Sequence, residues 1–238
     1  MRFRKIDKKY LKERKDVSNK HGLQELWEVI DQWPLYCGIS NLARFLSIAN
    51  ILKDTINIPG HIAEFGSWKG ANLLFMAKLL RIYDHLGPKA VYCFDSFEGL
   101  NAFDKKDGRG KEGKGRYAGN LGRIKDIIKL YEMSDDIVIH KGLIEDTLPR
   151  VLKENKALTF SLVYCDTDLY KSTQTILTHI HPRLAKGGVM VFDEWNCDSF
   201  PGEGVAVNEF LEKMGNKYKV ESVPLTRQPS LLLRKIRV

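Results

Sequence analysis

Residues 58–72 read IPGHIAEFGSWKGAN. Pro59-Gly60 stops the helical pattern before it, and His61–Phe65 is a short apolar run with strand character. Gly66–Gly70 is a turn of small residues, and Leu73, Leu74, Met76, Ala77 and Leu80 then recur at helical spacing from about Ala71 to Tyr83. Strand, glycine turn and helix in that order make half of a crossover unit, and the rest of the chain repeats the alternation. Upstream, Asn41–Ile56 carries Leu42, Phe45, Leu46, Ile48, Ala49 and Leu52 at helical spacing. Downstream, strands are expected at Ala90–Phe94, Ile137–His140, Phe160–Cys165 and Val189–Phe192, and helices at Leu121–Tyr131, Asp146–Glu154 and Ser172–Leu184. Short apolar runs separated by helices require crossover connections, hence a mostly parallel sheet with helices on both faces, an α/β fold. Tyr218–Val223 and Ser230–Ile236 have no helix between them and predict an antiparallel pair at the sheet edge.

A chain of 238 residues, 43% hydrophobic, suits one such domain, with a basic, helical extension over 1–39 and the domain proper over 40–238. The four cysteines (Cys37, Cys93, Cys165, Cys197) show no C-x-x-C pairing, so neither a zinc site nor a disulfide framework is expected. Met1–Lys15 is basic with no apolar run behind it, and no run is long enough to span a bilayer. A cytoplasmic protein without a membrane partner is the expectation. Much of the net charge of +8 lies in Met1–Lys15 and Lys105–Arg116, and no nucleic-acid module accompanies it, so a solvated basic surface is favoured over a nucleic-acid partner. The amphipathic set Leu23, Leu26, Trp27 and Ile30 offers a face for a homo-oligomer. Asp104–Gly119 is polar, charged and glycine-rich; it is expected to be mobile, either as a disordered excursion or as a lid over a site.

Ligands of open parallel sheets bind beyond the carboxyl ends of the strands. After the first strand, Gly66 permits a tight turn, and the small Ser67 and Gly70 let a ligand approach the next helix. The G-x-x-x-G spacing is not the three-glycine dinucleotide fingerprint, and Glu64 beside the turn disfavours a diphosphate while suiting an ammonium or other positive centre. After the second strand, Asp95-Ser96 can accept ribose hydroxyls or form a turn. After the third, Gly142–Thr147 offers Leu143 or Ile144 to a ring and Asp146 to an adenine amine, or Asp146 as a helix N-cap. The fourth strand ends in Asp166-Thr167-Asp168 and the fifth in Asp193-Glu194. As neighbours these would gather up to four carboxylates, whose mutual repulsion a hard cation such as Mg2+ relieves. The six histidines do not cluster.

Taken in order, IPGHIAEFGSWKGAN, YCFDSFEGL, KGLIEDTLP, DTDLYKST and GGVMVFDEWNCDSFPGEGVAVNEF resemble the macrocin O-methyltransferase (TylF-type) family of class I S-adenosylmethionine-dependent enzymes, over about residues 40–215. The resemblance implies a Rossmann-like, seven-stranded sheet ending in an antiparallel hairpin. It implies S-adenosyl-L-methionine as cofactor, with Glu64, Gly66 and Ser67 at its methionine end, Asp95 and Ser96 at the ribose and Asp146 toward the adenine. Gly70, Gly142 and Asp166 complete that set. It further implies Mg2+ on Asp168, Asp193 and Glu194; where members show Asp-Asp-Tyr, this chain has Asp193-Glu194-Trp195. The chemistry expected is transfer of a methyl group to a hydroxyl of a sugar or other small-molecule acceptor, with Asp168 as general base. The alternatives are a nucleic-acid methyltransferase, a nicotinamide-dependent oxidoreductase disfavoured by the missing third glycine, and a non-catalytic cofactor-binding protein.

Overall fold

The computed structural model describes residues 33–84, 87–101, 103–108 and 113–237, with 13, 16–17, 19–21 and 27–31 of the N-terminal segment. Seven strands form one sheet: β1 (His61–Phe65), β2 (Val91–Asp95), β3 (Ile137–Lys141), β4 (Phe160–Cys165), β5 (Leu184–Phe192), β6 (Tyr218–Ser222) and β7 (Leu231–Lys235), in the order β3-β2-β1-β4-β5-β7-β6. The first five run parallel, and β7 lies antiparallel between β5 and β6. The expected parallel sheet with a C-terminal antiparallel hairpin is thus present.

Six helices cover the sheet: α1 (Ile39–Thr55), α2 (Ala71–Tyr83), α3 (Leu121–Leu130), α4 (Ile144–Glu154), α5 (Tyr170–Ile180) and α6 (Pro201–Met214). Leu52, Leu73, Met76 and Ile124 of α1–α3 pack with Ile62, Leu162 and Val191 on one face. Leu148, Ile176 and Val207 of α4–α6 pack with Phe65, Phe94, Phe160 and Phe192 on the other. Covered on both faces, β4 is buried at every position, which is why it reads as a continuous apolar run. Phe65 and Phe94 stack at 4.8 Å, each fully buried; burial of such a ring stabilises by about 1.5–3 kcal/mol.

Three expectations need correction. Helix α4 begins at Ile144, so Asp146 lies inside its first turn, where a carboxylate suits the helix dipole, and is not its N-cap. The helix expected over Ser172–Leu184 ends at Ile180; a short 3-10 turn (His181–Arg183) containing Pro182 follows, and Leu184 already starts β5. The segment after β2 is not free. Asp107 is 4% exposed, its Oδ1 accepts from the Tyr170 amide (2.7 Å) and its Oδ2 from the Asp104 amide (2.6 Å). Lys106 Nζ reaches the Tyr170 hydroxyl (2.9 Å) and Glu209 Oε1 (2.5 Å), so this stretch is pinned to the start of α5 and to α6. Residues 109–112 of the same segment, most of Met1–Lys15, and Leu23 and Leu26 lie outside the described residues. His21 meets Asp126 of α3 at 2.9 Å. No described helix is long and apolar enough to cross a membrane.

Candidate active site

The strand order reverses between β1 and β4, and a ligand crevice is expected at that switch point. The sheet ladder runs on past the strand ends there. The Gly66 amide donates to Phe94 O (3.1 Å), Asp166 to Phe65 O (2.9 Å), Gly142 to Asp95 O (3.0 Å) and Asp193 to Cys165 O (3.0 Å). These contacts place the loops after the five parallel strands side by side around a cleft. Its walls include Gly66, Asp95, Ser96, Gly142, Asp166, Asp168, Asp193 and Glu194. Four non-glycine residues at or beside this rim, Trp68, Phe97, Tyr117 and Asp168, have positive φ (46°, 58°, 62° and 62°). Left-handed backbone at such residues costs of order 1–3 kcal/mol each and persists where the surroundings over-determine it, a pattern concentrated at functional sites.

On the β1–β2 side, Gly66 has φ +82°, and a Cβ there would stand 1.9 Å from Asp166 O, so only glycine lets β1 and β4 close at the crevice. Asp95 gathers the turn: its Oδ2 accepts from the amides of Ser67 (2.6 Å) and Trp68 (2.8 Å), its Oδ1 from Phe97 (2.6 Å). Glu64 lies beneath, 1% exposed; the Ser67 hydroxyl donates to its Oε2, and its Oε1 is buried with no partner among the described residues. Burial pushes the Glu64 carboxyl up to about 8, with the Ser67 hydrogen bond opposing and Asp95 reinforcing. The folded protein therefore holds this proton more tightly than the unfolded chain. Ligand-free stability should fall as pH rises from 4.5 toward 8. Glu64→Gln should flatten that fall, read as melting temperature against pH; an unchanged slope would show that Glu64 is charged throughout.

Not every expected residue faces the cleft. Gly142, Leu143, Ile144 and Glu145 line it, whereas Asp146 is exposed on the first turn of α4 and does not. Glu64, Ser67 and Gly70 stand behind the wall, and Gly70 packs toward Ile124 of α3.

Asp166, Asp168, Asp193 and Glu194 all line the cleft, with partners that local sequence did not announce. Asp193, 2% exposed, accepts from Arg44 Nη2 of α1 (2.6 Å, Oδ2) and from the Tyr164 hydroxyl (2.6 Å, Oδ1). Arg44 Nη1 also stands 3.7 Å from Asp166. The Glu194 amide donates to Glu203 Oε1 of α6 (2.7 Å), and Gln228 Nε2 donates to Glu194 Oε1 (2.5 Å). Glu194 Oε2 is buried without a partner among the described residues. Burial, then Glu194 and Asp193, raise Asp168 to about 7. Arg44, Tyr164, Glu203 and Gln228 were all missed from sequence; Arg44, the one charge between Leu42 and Leu52 of α1, was the one visible signal.

Among the described residues no set of three or more acidic, histidine or cysteine groups stands close enough to hold a metal ion as placed. The donor chemistry nevertheless fits a hard cation: three buried carboxylates share one wall, one raised by the other two, and one oxygen is buried and unsatisfied. The cofactor region fits likewise, with an unsatisfied Glu64 oxygen and a glycine cradle that a Cβ would fill.

A crevice at the switch point of a seven-stranded sheet, with a carboxylate behind the β1 turn and another closing β2, defines the nucleoside-binding class of α/β proteins to which class I methyltransferases belong. The profile of the Macrocin-O-methyltransferase (TylF) family matches residues 12–226, and the chain belongs to that family of methyltransferases. Among curated relatives, an 8-demethyl-8-(2,3-dimethoxy-alpha-L-rhamnosyl)-tetracenomycin-C 4'-O-methyltransferase of Streptomyces olivaceus is 31% identical over 160 residues, 64% of this chain. Mycinamicin III 3''-O-methyltransferase of Micromonospora griseorubida is 28% identical over 177 residues, 71% of this chain. The matched stretches span 58% and 66% of those relatives' own lengths. The solved structure of the calicheamicin methyltransferase CalS11 superposes with a TM-score of 0.77 at 27% identity, covering 96% of this chain and 91% of that one.

Proposed function

We propose that the chain is an S-adenosylmethionine-dependent O-methyltransferase, aided by Mg2+, whose acceptor is a hydroxyl of a sugar borne on a small molecule. The observation that carries this is the meeting of two halves at one cleft: a glycine cradle over the unsatisfied Glu64, and an acidic rim holding Asp168 with its carboxyl raised to about 7. Family membership and relatives named for transfer to rhamnosyl and mycinamicin acceptors support the acceptor class. Bound, the cofactor supplies an electrophilic methyl group and Mg2+ supplies positive charge that favours an alkoxide-like oxygen.

The chain's own residues supply position and proton transfer. On this reading Glu64, behind the turn, would answer the methionine ammonium, Asp95 and Ser96 would face the ribose and Gly142 to Glu145 the adenine side, and Asp166 would border the methyl-transfer region. Asp168, Asp193 and Glu194 would hold the cation. Asp168 would take the proton of the acceptor hydroxyl as that oxygen receives the methyl group, leaving S-adenosylhomocysteine. Trp68 (43% exposed), Tyr117 (39% exposed) and Phe200 border the mouth, the first two edge to face at 5.6 Å. Their apolar surfaces suit the C–H face of a sugar ring.

The test is methyl transfer to a panel of glycosides and nucleotide sugars, read as a mass shift and as S-adenosylhomocysteine release, with and without a chelator. No cofactor binding by calorimetry would sink the proposal. Trp68→Ala should raise the acceptor KM on the order of tenfold while leaving kcat nearly unchanged. A fall in kcat alone would remove Trp68 from acceptor binding.

A further inference from the structure

Two of the three acids that would hold the cation are already engaged, and unequally. Glu194 gives one oxygen to the neutral Gln228 amide, and its other oxygen is buried with no hydrogen-bond partner among the described residues. Asp193 has both oxygens taken, one by the Tyr164 hydroxyl and one by the full positive charge of Arg44 at 2.6 Å. A guanidinium so placed and a divalent cation cannot share Asp193 Oδ2, because both are electron-poor and would stand within a few ångströms of each other.

Arg44 also has a second place to go. Its Nη1 is 3.7 Å from Asp166, which faces the same cleft, so a modest side-chain swing exchanges one carboxylate for the other. The backbone that carries it need not move. Ser47, one turn further along α1, donates to Pro224 O (2.8 Å), tying the helix to the loop that presents Gln228 to Glu194. One helix–loop pair thus bears on both neighbouring acids of β5.

Resting on the Mg2+ reading above, we propose that Arg44 is a built-in counter-ion. It neutralises Asp193 while the rim is metal-free and moves to Asp166 when a divalent cation takes Asp193. Arg44 is therefore a positioning residue that sets metal affinity: it keeps the empty rim folded and makes each cation compete for its place.

The test is direct Mn2+ binding, by electron paramagnetic resonance and calorimetry, to the wild-type chain and Arg44→Gln, with melting curves with and without Mn2+. Arg44→Gln should bind Mn2+ on the order of tenfold more tightly. Without metal it should melt at least about 5 °C lower, because it leaves Asp193 buried without a counter-charge, and saturating Mn2+ should close most of that gap. Equal or weaker Mn2+ binding by Arg44→Gln, with the wild type binding, overturns the counter-ion role and leaves the cation reading standing. No Mn2+ binding by either protein removes the cation reading and this proposal with it. Should Arg44→Gln not fold, Arg44→Lys carries the same measurement, since an ammonium keeps the charge but loses the fork that spans two carboxylates. Binding about threefold tighter than wild type is then expected, and unchanged binding overturns the proposal.

Discussion

Asp168→Asn should cut kcat by about 10³-fold while leaving cofactor affinity within a few-fold of wild type. Asparagine keeps the size and one acceptor oxygen but cannot take the hydroxyl proton, so loss of the base appears in turnover. The same substitution should make the metal-free protein more stable above neutral pH. The Asp168 carboxyl is raised from 3.8 to about 7, so its protonated form is favoured by folding, and stability falls as pH climbs through that interval. Removing the charge removes the fall. A variant that melts higher at pH 8 yet turns over about a thousandfold more slowly separates chemistry from folding. Retention of more than a tenth of wild-type kcat would end the assignment of Asp168 as base. With wild type, the acidic limb of the kcat profile should lie near 7 at low Mg2+ and move to lower pH as Mg2+ is added, because a bound cation favours the carboxylate.

Gly66→Ala should be the most damaging single change in the cleft wall. The added methyl would stand 1.9 Å from Asp166 O and 2.8 Å from its carbon, at a φ of +82°. Both strands are fixed there, since Phe65 pairs with Cys165 in the ladder. Relief requires β1 and β4 to part at the crevice, and a loss of more than about 3 kcal/mol is expected, with cofactor binding abolished. Gly70→Ala is the comparison: its φ is similarly positive, but the new methyl meets the Ile124 side chain at 3.1 Å, which can yield. It should cost about 1 kcal/mol. Thermal melting and calorimetry with S-adenosylmethionine would decide, and equal mild effects would refute the close-contact account of Gly66.

The alternation of strands and helices was legible because burial on both faces writes continuous apolar runs into the parallel strands, β4 most plainly. The hairpin of β6 and β7 was legible because no helix separates them. Helix α6 escaped notice: Gly202 and Gly204 in its first turn lower helix propensity, and only packing on the sheet restores it. The site divided along the same line. Asp95, Asp168, Asp193 and Glu194 stand where strands end, so topology alone places them at the rim. Asp107 looked like part of a solvated polar loop, because its burial depends on capping a helix 63 residues away. Arg44 meets Asp193 across 149 residues, and Glu203 reaches the Glu194 amide from α6, contacts no local pattern encodes.

The position of β7 carries a consequence for synthesis in the cell. The loop entering it supplies Gln228 to Glu194, and Ser230 Oγ both donates to Asp193 O (3.0 Å) and accepts from the Trp195 amide (3.1 Å). A chain made from its N-terminus at about 5–20 residues per second presents the Glu64 turn many seconds before these side chains exist. A nascent chain halted before Gln228 would carry the glycine turn with its acidic rim unsupported. If the proposed function holds, such an intermediate should bind S-adenosylmethionine early yet stay silent in catalysis until the last strand slides between its two neighbours.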